Sequence, residues 1–173
     1  MDDPADREYS RAPELEDVVG LCRSLNRESV RYLLIGGWAV ILHGAARTTK
    51  DIDLLVDPSP ENVQAIRRAL ADLPDNAARE LADGEVAQYG VVRVADEVVV
   101  DLMASACGVT FADAIAAKAA ERFFLQGVPV EVASKDLLIR TKQTVRPSDA
   151  ADVAYLRALL AEECRGFPPR DPL

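Results

Sequence analysis

Asp51 and Asp53 are separated by a single residue in the segment DIDLLV. The apolar remainder makes this a strand, and side chains two apart on a strand share a face. Two carboxylates side by side repel, so the pair calls for a neutralising cation. Carboxylate oxygens are the ligands magnesium prefers, and it usually binds one or two of them together with substrate phosphates. A third acid from a neighbouring strand completes such a seat. Asp101 is the candidate, because it interrupts the apolar run VVVDLM as the first pair interrupts its own strand. The ordinary readings compete: Asp51 as a strand-end acid beside Lys50, Asp53 as partner of a buried arginine. They explain one acid at a time, whereas burying three without counter-charge is expensive. Asp96 and Glu97 fall at a turn, where acids are routine, and are set aside.

Upstream, Gly36 and Gly37 follow the buried strand RYLLIG and open the helix WAVILHG. Their bare backbone lets a phosphate approach, and a helix N-terminus favours negative charge. Arg47, Thr48 and Lys50, in the loop AARTTK, stand immediately before the acids and are placed to contact the same polyphosphate. For Arg47 and Lys50 the ordinary alternative is a solvated loop charge. A glycine pair alone often marks only a tight turn. Glycines, a basic loop, an Asp-x-Asp strand and a later isolated strand aspartate, in that order, are far more specific.

The elements that position these residues follow from periodicity. A helix is expected over Glu14 to Arg27, with Leu15, Val18, Val19 and Cys22 on one side. Ser59, Pro60 and Glu61 mark a helix start after the Asp51–Val56 strand, and NAARELA adds a short helical piece. YGVVRVADEVVVDLM reads as a hairpin of Val91–Val94 and Val98–Met103. FADAIAAKAA is helical. RFFLQGVPVEVAS is a second hairpin around Gly127, with Pro129 placing its return strand near an edge. Two helices finish the domain, Ser134 to about Val145 and Ser148 to about Glu163. The fold class expected is α/β (α+β), a mixed twisted sheet flanked by helices. Residues 1–12 are expected to be a flexible start, 13–164 one domain and 165–173 an irregular tail.

The 173 residues suffice for one domain with a real core, and no apolar run is long enough to cross a bilayer. The acidic start MDDPADREYSRAPELED is unlike a secretory signal, so cytoplasm is the expected compartment. Cys22, Cys107 and Cys164 are too scattered for a disulfide framework or metal motif, and read as reduced thiols packed like small apolar residues. His43 stands alone and reads as structural. A net charge of −9 argues against a broad grip on nucleic acid, though not against a local basic patch.

The stretch GGWAVILHGAARTTKDIDLLV resembles the signature of the DNA polymerase β-type nucleotidyltransferase superfamily in its minimal bacterial form. The ending DLLIRTKQTVRPSDAADVAYL resembles the later motifs of AbiE-type toxin nucleotidyltransferases. The resemblance spans roughly Tyr32 to Leu160. It implies that Gly36 and Gly37 form the glycine motif, and that Asp51, Asp53 and Asp101 hold two magnesium (or manganese) ions. Lys142, Asp149 and Asp152 match the late motif, with Lys142 or Arg47 neutralising the phosphates of an NTP. From their surroundings alone, Lys142 reads as an exposed helix charge, and Asp149 and Asp152 as acids of a helix first turn. Where many relatives carry serine or threonine after the glycines, this chain has Trp38, read as core. The implied activity is transfer of a nucleoside monophosphate to an RNA hydroxyl, such as a tRNA end, or to a small hydroxylated molecule. The other reading is a non-catalytic nucleotide-binding or interaction module of a toxin–antitoxin pair, with an antitoxin protein as partner.

Overall fold

A computed structural model describes residues 10–166 and residue 168. Of the flexible start expected over residues 1–12 and the irregular tail expected over 165–173, residues 1–9, 167 and 169–173 lie outside the described residues. The described chain runs α1 (Leu15–Arg27), β1 (Tyr32–Ile35), α2 (Gly36–Leu42), β2 (Asp51–Val56), α3 (Pro60–Leu70), a 3-10 turn (Ala77–Glu80), α4 (Glu85–Tyr89), β3 (Val91–Ala95) and β4 (Val99–Met103). It continues with β5 (Ser105–Ala106), β6 (Val109–Thr110), α5 (Phe111–Ala116), β7 (Ala120–Leu125), β8 (Val128–Ala133), α6 (Lys135–Thr141) and α7 (Pro147–Cys164). Six strands form a mixed sheet in the order β3-β4-β2-β1-β8-β7, and β5-β6 is a separate small hairpin. No helix among the described residues is long and apolar enough to cross a membrane.

The sheet centre explains the site. The YLLI strand is buried along its whole length, as befits a strand covered on both faces. It runs antiparallel to β2, which in turn pairs parallel with β4. In β2 only Asp51 and Asp53 escape full burial, while Ile52 between them and Leu54, Leu55 and Val56 beyond are buried. The acids therefore occupy one end of an otherwise apolar central strand. Around the sheet, α1 packs on α3 and β8, α2 on β2 and α6, and α6 on α7.

Helix starts follow local chemistry. The Glu14 N–H donates to the Asp17 carboxylate at 2.7 Å, one half of a capping box at α1. Pro60 takes the first turn of α3 as expected, but Ser59 makes no side-chain cap. Asn62 ties that junction instead, bonding the backbone of Arg31 and of Asp57. Thr110 caps α5 and Ser134 caps α6 through their hydroxyls. Asp96 is a structural turn acid: buried, it accepts N–H bonds from Asp75, Ala77 and Glu97. Ser10 and Arg11 bond to the same β3–β4 turn.

Three expectations need correction. The return strand of the second hairpin is internal, with β7 at the edge. Pro129 is tolerated because β1 meets β8 further along, at Leu34 opposite Val132, so the missing N–H falls outside that ladder. The helix expected through Ala120 ends at Ala116. Lys118 turns the chain at φ 51°, and Ala120 pairs with Ala133. The α6 helix stops at Thr141 rather than near Val145. The β5–β6 hairpin was not foreseen, although Cys107 and Gly108 take the two positive φ values of a tight hairpin turn.

Candidate metal and nucleotide site

The register of β2, β4 and β3 assembles the site. Parallel pairing sets Asp53 opposite Asp101, and antiparallel pairing sets Arg93 opposite Asp101. Asp51, two residues before Asp53, shares its face. One carboxylate oxygen from each of Asp51, Asp53 and Asp101 lies within 4.8 Å of the others. They open into a cavity of about 870 Å³ whose walls include Gly36, Gly37, Arg47 and Lys142. Three carboxylates grouped in this way could hold a hard divalent cation.

Burial, then the Asp51 and Asp101 charges, push the Asp53 carboxyl up to about 7. The Lys142 ammonium and the Gly37 N–H, which bonds to Asp53, pull the other way without compensating. Asp53 itself is thus left with more negative than positive charge around it, a condition that a divalent cation would relieve.

The glycines have a local reason to be glycines. Gly36 has φ +67°, and a Cβ there would lie 2.0 Å from Asp53 Oδ2. At Gly37 a Cβ would lie 2.6 Å from Thr49 Oγ1. The bare faces of this pair hold the Asp53 carboxylate and the Thr49 side chain. Gly36→Ala is expected to lower stability by about 2 kcal/mol or more, from the left-handed backbone alone plus displacement of Asp53. A thermal melt combined with manganese titration reads both effects; unchanged melting and unchanged cation binding would contradict this packing.

The basic residues divide. Arg47 bonds to Asp152, and Lys142 is buried at the end of α6, 2.8 Å from Asp152 and 3.2 Å from Asp149. Lys142 is therefore not an exposed helix charge: its aliphatic stem is enclosed and its ammonium is neutralised by two acids. Asp152 is buried too, and does more than serve a helix first turn. Thr48 and Lys50 are exposed and lie outside the cavity lining, whereas Thr49 lines it and donates to Asp51 at 3.3 Å. Extending the period-two pattern of Asp53 and Asp51 backwards reaches Thr49.

Arg93 was also missed. Its guanidinium grips both oxygens of Asp101 and reaches Asp51 at 3.4 Å. The signal was available, since an arginine interrupting VVRVA falls opposite the aspartate interrupting VVVDLM once the hairpin register is drawn.

The remaining singular residues are structural. His43 is buried, bonds the Ala133 carbonyl at 2.9 Å and meets Phe123 edge-on. Trp38 is in the core as read, with its indole N–H lacking an acceptor among the described residues. Cys22 is buried and its thiol pushed up to about 11, first by desolvation. Cys107 and Cys164 are exposed rather than packed, and all three are free thiols.

The site thus consists of a central Asp-x-Asp strand, a third strand carboxylate beside it and a helix opened by two glycines. Residues 21–105 match the model of the family described as nucleotidyl transferase AbiEii toxin, Type IV TA system. Over that stretch the chain is similar to an AbiE-type nucleotidyltransferase. The match takes in both glycines and all three aspartates, and ends before Lys142, Asp149 and Asp152. No curated protein matches the chain.

Proposed function

We propose that the chain, as one domain over residues 13–164, is a metal-dependent nucleotidyltransferase of the cytoplasm. It moves a nucleoside monophosphate from an NTP to a hydroxyl of an RNA, such as a tRNA end, or of a small molecule. The observation that carries this is the convergence of Asp51, Asp53 and Asp101 within 4.8 Å at the mouth of a large cavity. Asp51 and Asp53 would hold two divalent cations, with Asp101 on the second. Bound there, magnesium or manganese would lower the pKa of the acceptor hydroxyl and offset charge on the leaving pyrophosphate. Asp101 stands to take the hydroxyl proton. Lys142, held by Asp149 and Asp152, and Arg47, held by Asp152, would turn N–H donors to the phosphates. Gly36 and Gly37, packed against the Asp53 carboxylate and the Thr49 side chain, would offer backbone to the phosphates, and the exposed Thr48 and Lys50 would serve as outer phosphate contacts. The family description also supports an antitoxin protein as partner.

A second reading, a non-catalytic nucleotide-binding or interaction module, draws on the Arg93 fork that occupies Asp101. The deciding experiment supplies each labelled triphosphate with magnesium and total RNA, then with hydroxylated small molecules. Label transferred to one acceptor class, lost with EDTA and lost in Asp51→Ala, is the expected result. Triphosphate binding with no transfer to any acceptor would instead favour the module.

A further inference from the structure

Arg93 lies on β3, the outermost strand of the sheet, opposite Asp101. Its Nε donates to Asp101 Oδ1 at 2.9 Å and its Nη2 to Oδ2 at 2.8 Å, with Asp51 Oδ2 at 3.4 Å from the same nitrogen. Both oxygens of the third carboxylate are therefore engaged by one planar fork. Asp101 is only 5% exposed, whereas the Arg93 side chain is 36% exposed and lines the cavity. An internal cation thus sits against the seat on an arm with a route to solvent. Lys142 does not take that place, because its ammonium already faces Asp149 and Asp152.

Resting on the transferase reading and deepening it, we propose that Arg93 is a positioning residue that exchanges anions. In the metal-free protein it holds Asp101; it yields that carboxylate to the second divalent cation and turns to a phosphate of the substrate. An arginine fork fits a phosphate as it fits a carboxylate, so the exchange replaces like with like. A cation held by Asp51 and Asp53 would leave the fork on Asp101 intact and compete only for the Asp51 oxygen that Arg93 reaches at 3.4 Å. One held also by Asp101 would have to displace the fork. Anion binding at Arg93 and cation binding at Asp101 are therefore coupled, each raising the affinity for the other by the same factor.

The test is manganese titration of the full chain, with free manganese followed by electron paramagnetic resonance. Sulfate serves as the tetrahedral anion, with chloride at matched ionic strength as control. Wild type is expected to bind one manganese tightly and a second weakly, with sulfate tightening the second about fivefold or more. Arg93→Gln is expected to bind the second ion about tenfold tighter or more in chloride, and to lose the sulfate effect. Arg93→Lys, which keeps the charge but loses the fork, falls between them and decides the matter if the glutamine variant does not fold. A merely structural Arg93 would shift the melting temperature and leave the second affinity unchanged, which overturns the inference. Manganese binding to none of the three proteins would overturn the metal-dependent reading itself, a distinguishable outcome.

Discussion

On the proposed transferase reading, Asp53→Asn is expected to lower nucleotidyl transfer by about a thousandfold, while making the metal-free protein more stable at neutral pH. The activity loss would follow from replacing a proposed cation ligand with a neutral amide of the same shape. The stability gain follows from the raised pKa. Asp53 titrates near 7 when folded, against about 3.9 in an unfolded chain. Below about pH 4 both states hold the proton and the residue contributes nothing. From there to about 7 the unfolded state ionises first, so folding stability falls as pH rises, and the full deficit is in place above the folded pKa. That interval corresponds to roughly 4 kcal/mol, and partial exposure of the carboxylate brings the expected value to about 2 kcal/mol. The melting temperature of Asp53→Asn should therefore exceed that of wild type by about 4–8 °C above neutral pH, with the gap closing towards pH 4. Magnesium should narrow the same gap by stabilising wild type alone. A gap that stays flat with pH would mean that Asp53 is compensated in the folded state.

Lys142→Met is expected to destabilise the protein by about 3 kcal/mol, a drop in melting temperature of about 6–12 °C. Methionine keeps much of the enclosed aliphatic stem but leaves Asp149 and Asp152 without the ammonium between them. The loss stays at the lower end of the range for a broken buried pair because Arg47 still bonds Asp152. Adding Asp152→Asn should then cost less than it does in wild type, with an interaction of about 1–2 kcal/mol in the double-mutant cycle. Equilibrium denaturation of the four proteins measures it. A change within about 0.5 kcal/mol for Lys142→Met would return this residue to the ordinary surface lysine of the sequence reading. Lys142 thus joins two parts of the molecule, since Asp152 on α7 also holds Arg47 on the loop before β2.

Local chemistry decided most of the elements. The Asp51–Val56 strand, the glycine-opened helix and the Pro60 helix start each follow from residue type and spacing, because strand alternation, caps and proline act over a few residues. What failed was non-local. Pro129 is a weak guide to edge position when a neighbouring strand pairs only beyond it. The end of FADAIAAKAA was set by pairing of Ala120 with Ala133, a contact between residues distant in sequence. Lys142 was misread because the acids that bury it arrive from the following helix.

By itself, then, the sequence determined that a pair of like charges would share one strand face and that a third acid would interrupt another strand, since both facts depend only on alternation along a chain. Only the tertiary structure decided that Asp101 lies beside Asp53, that Gly36 is shaped around a carboxylate, and that Arg93 holds the third acid. Each of those is a matter of register between strands and of which side chain fills which gap. Such choices are made by packing across the sheet, where neighbours in space are eight residues apart for Arg93 and Asp101 and 48 for Asp53 and Asp101.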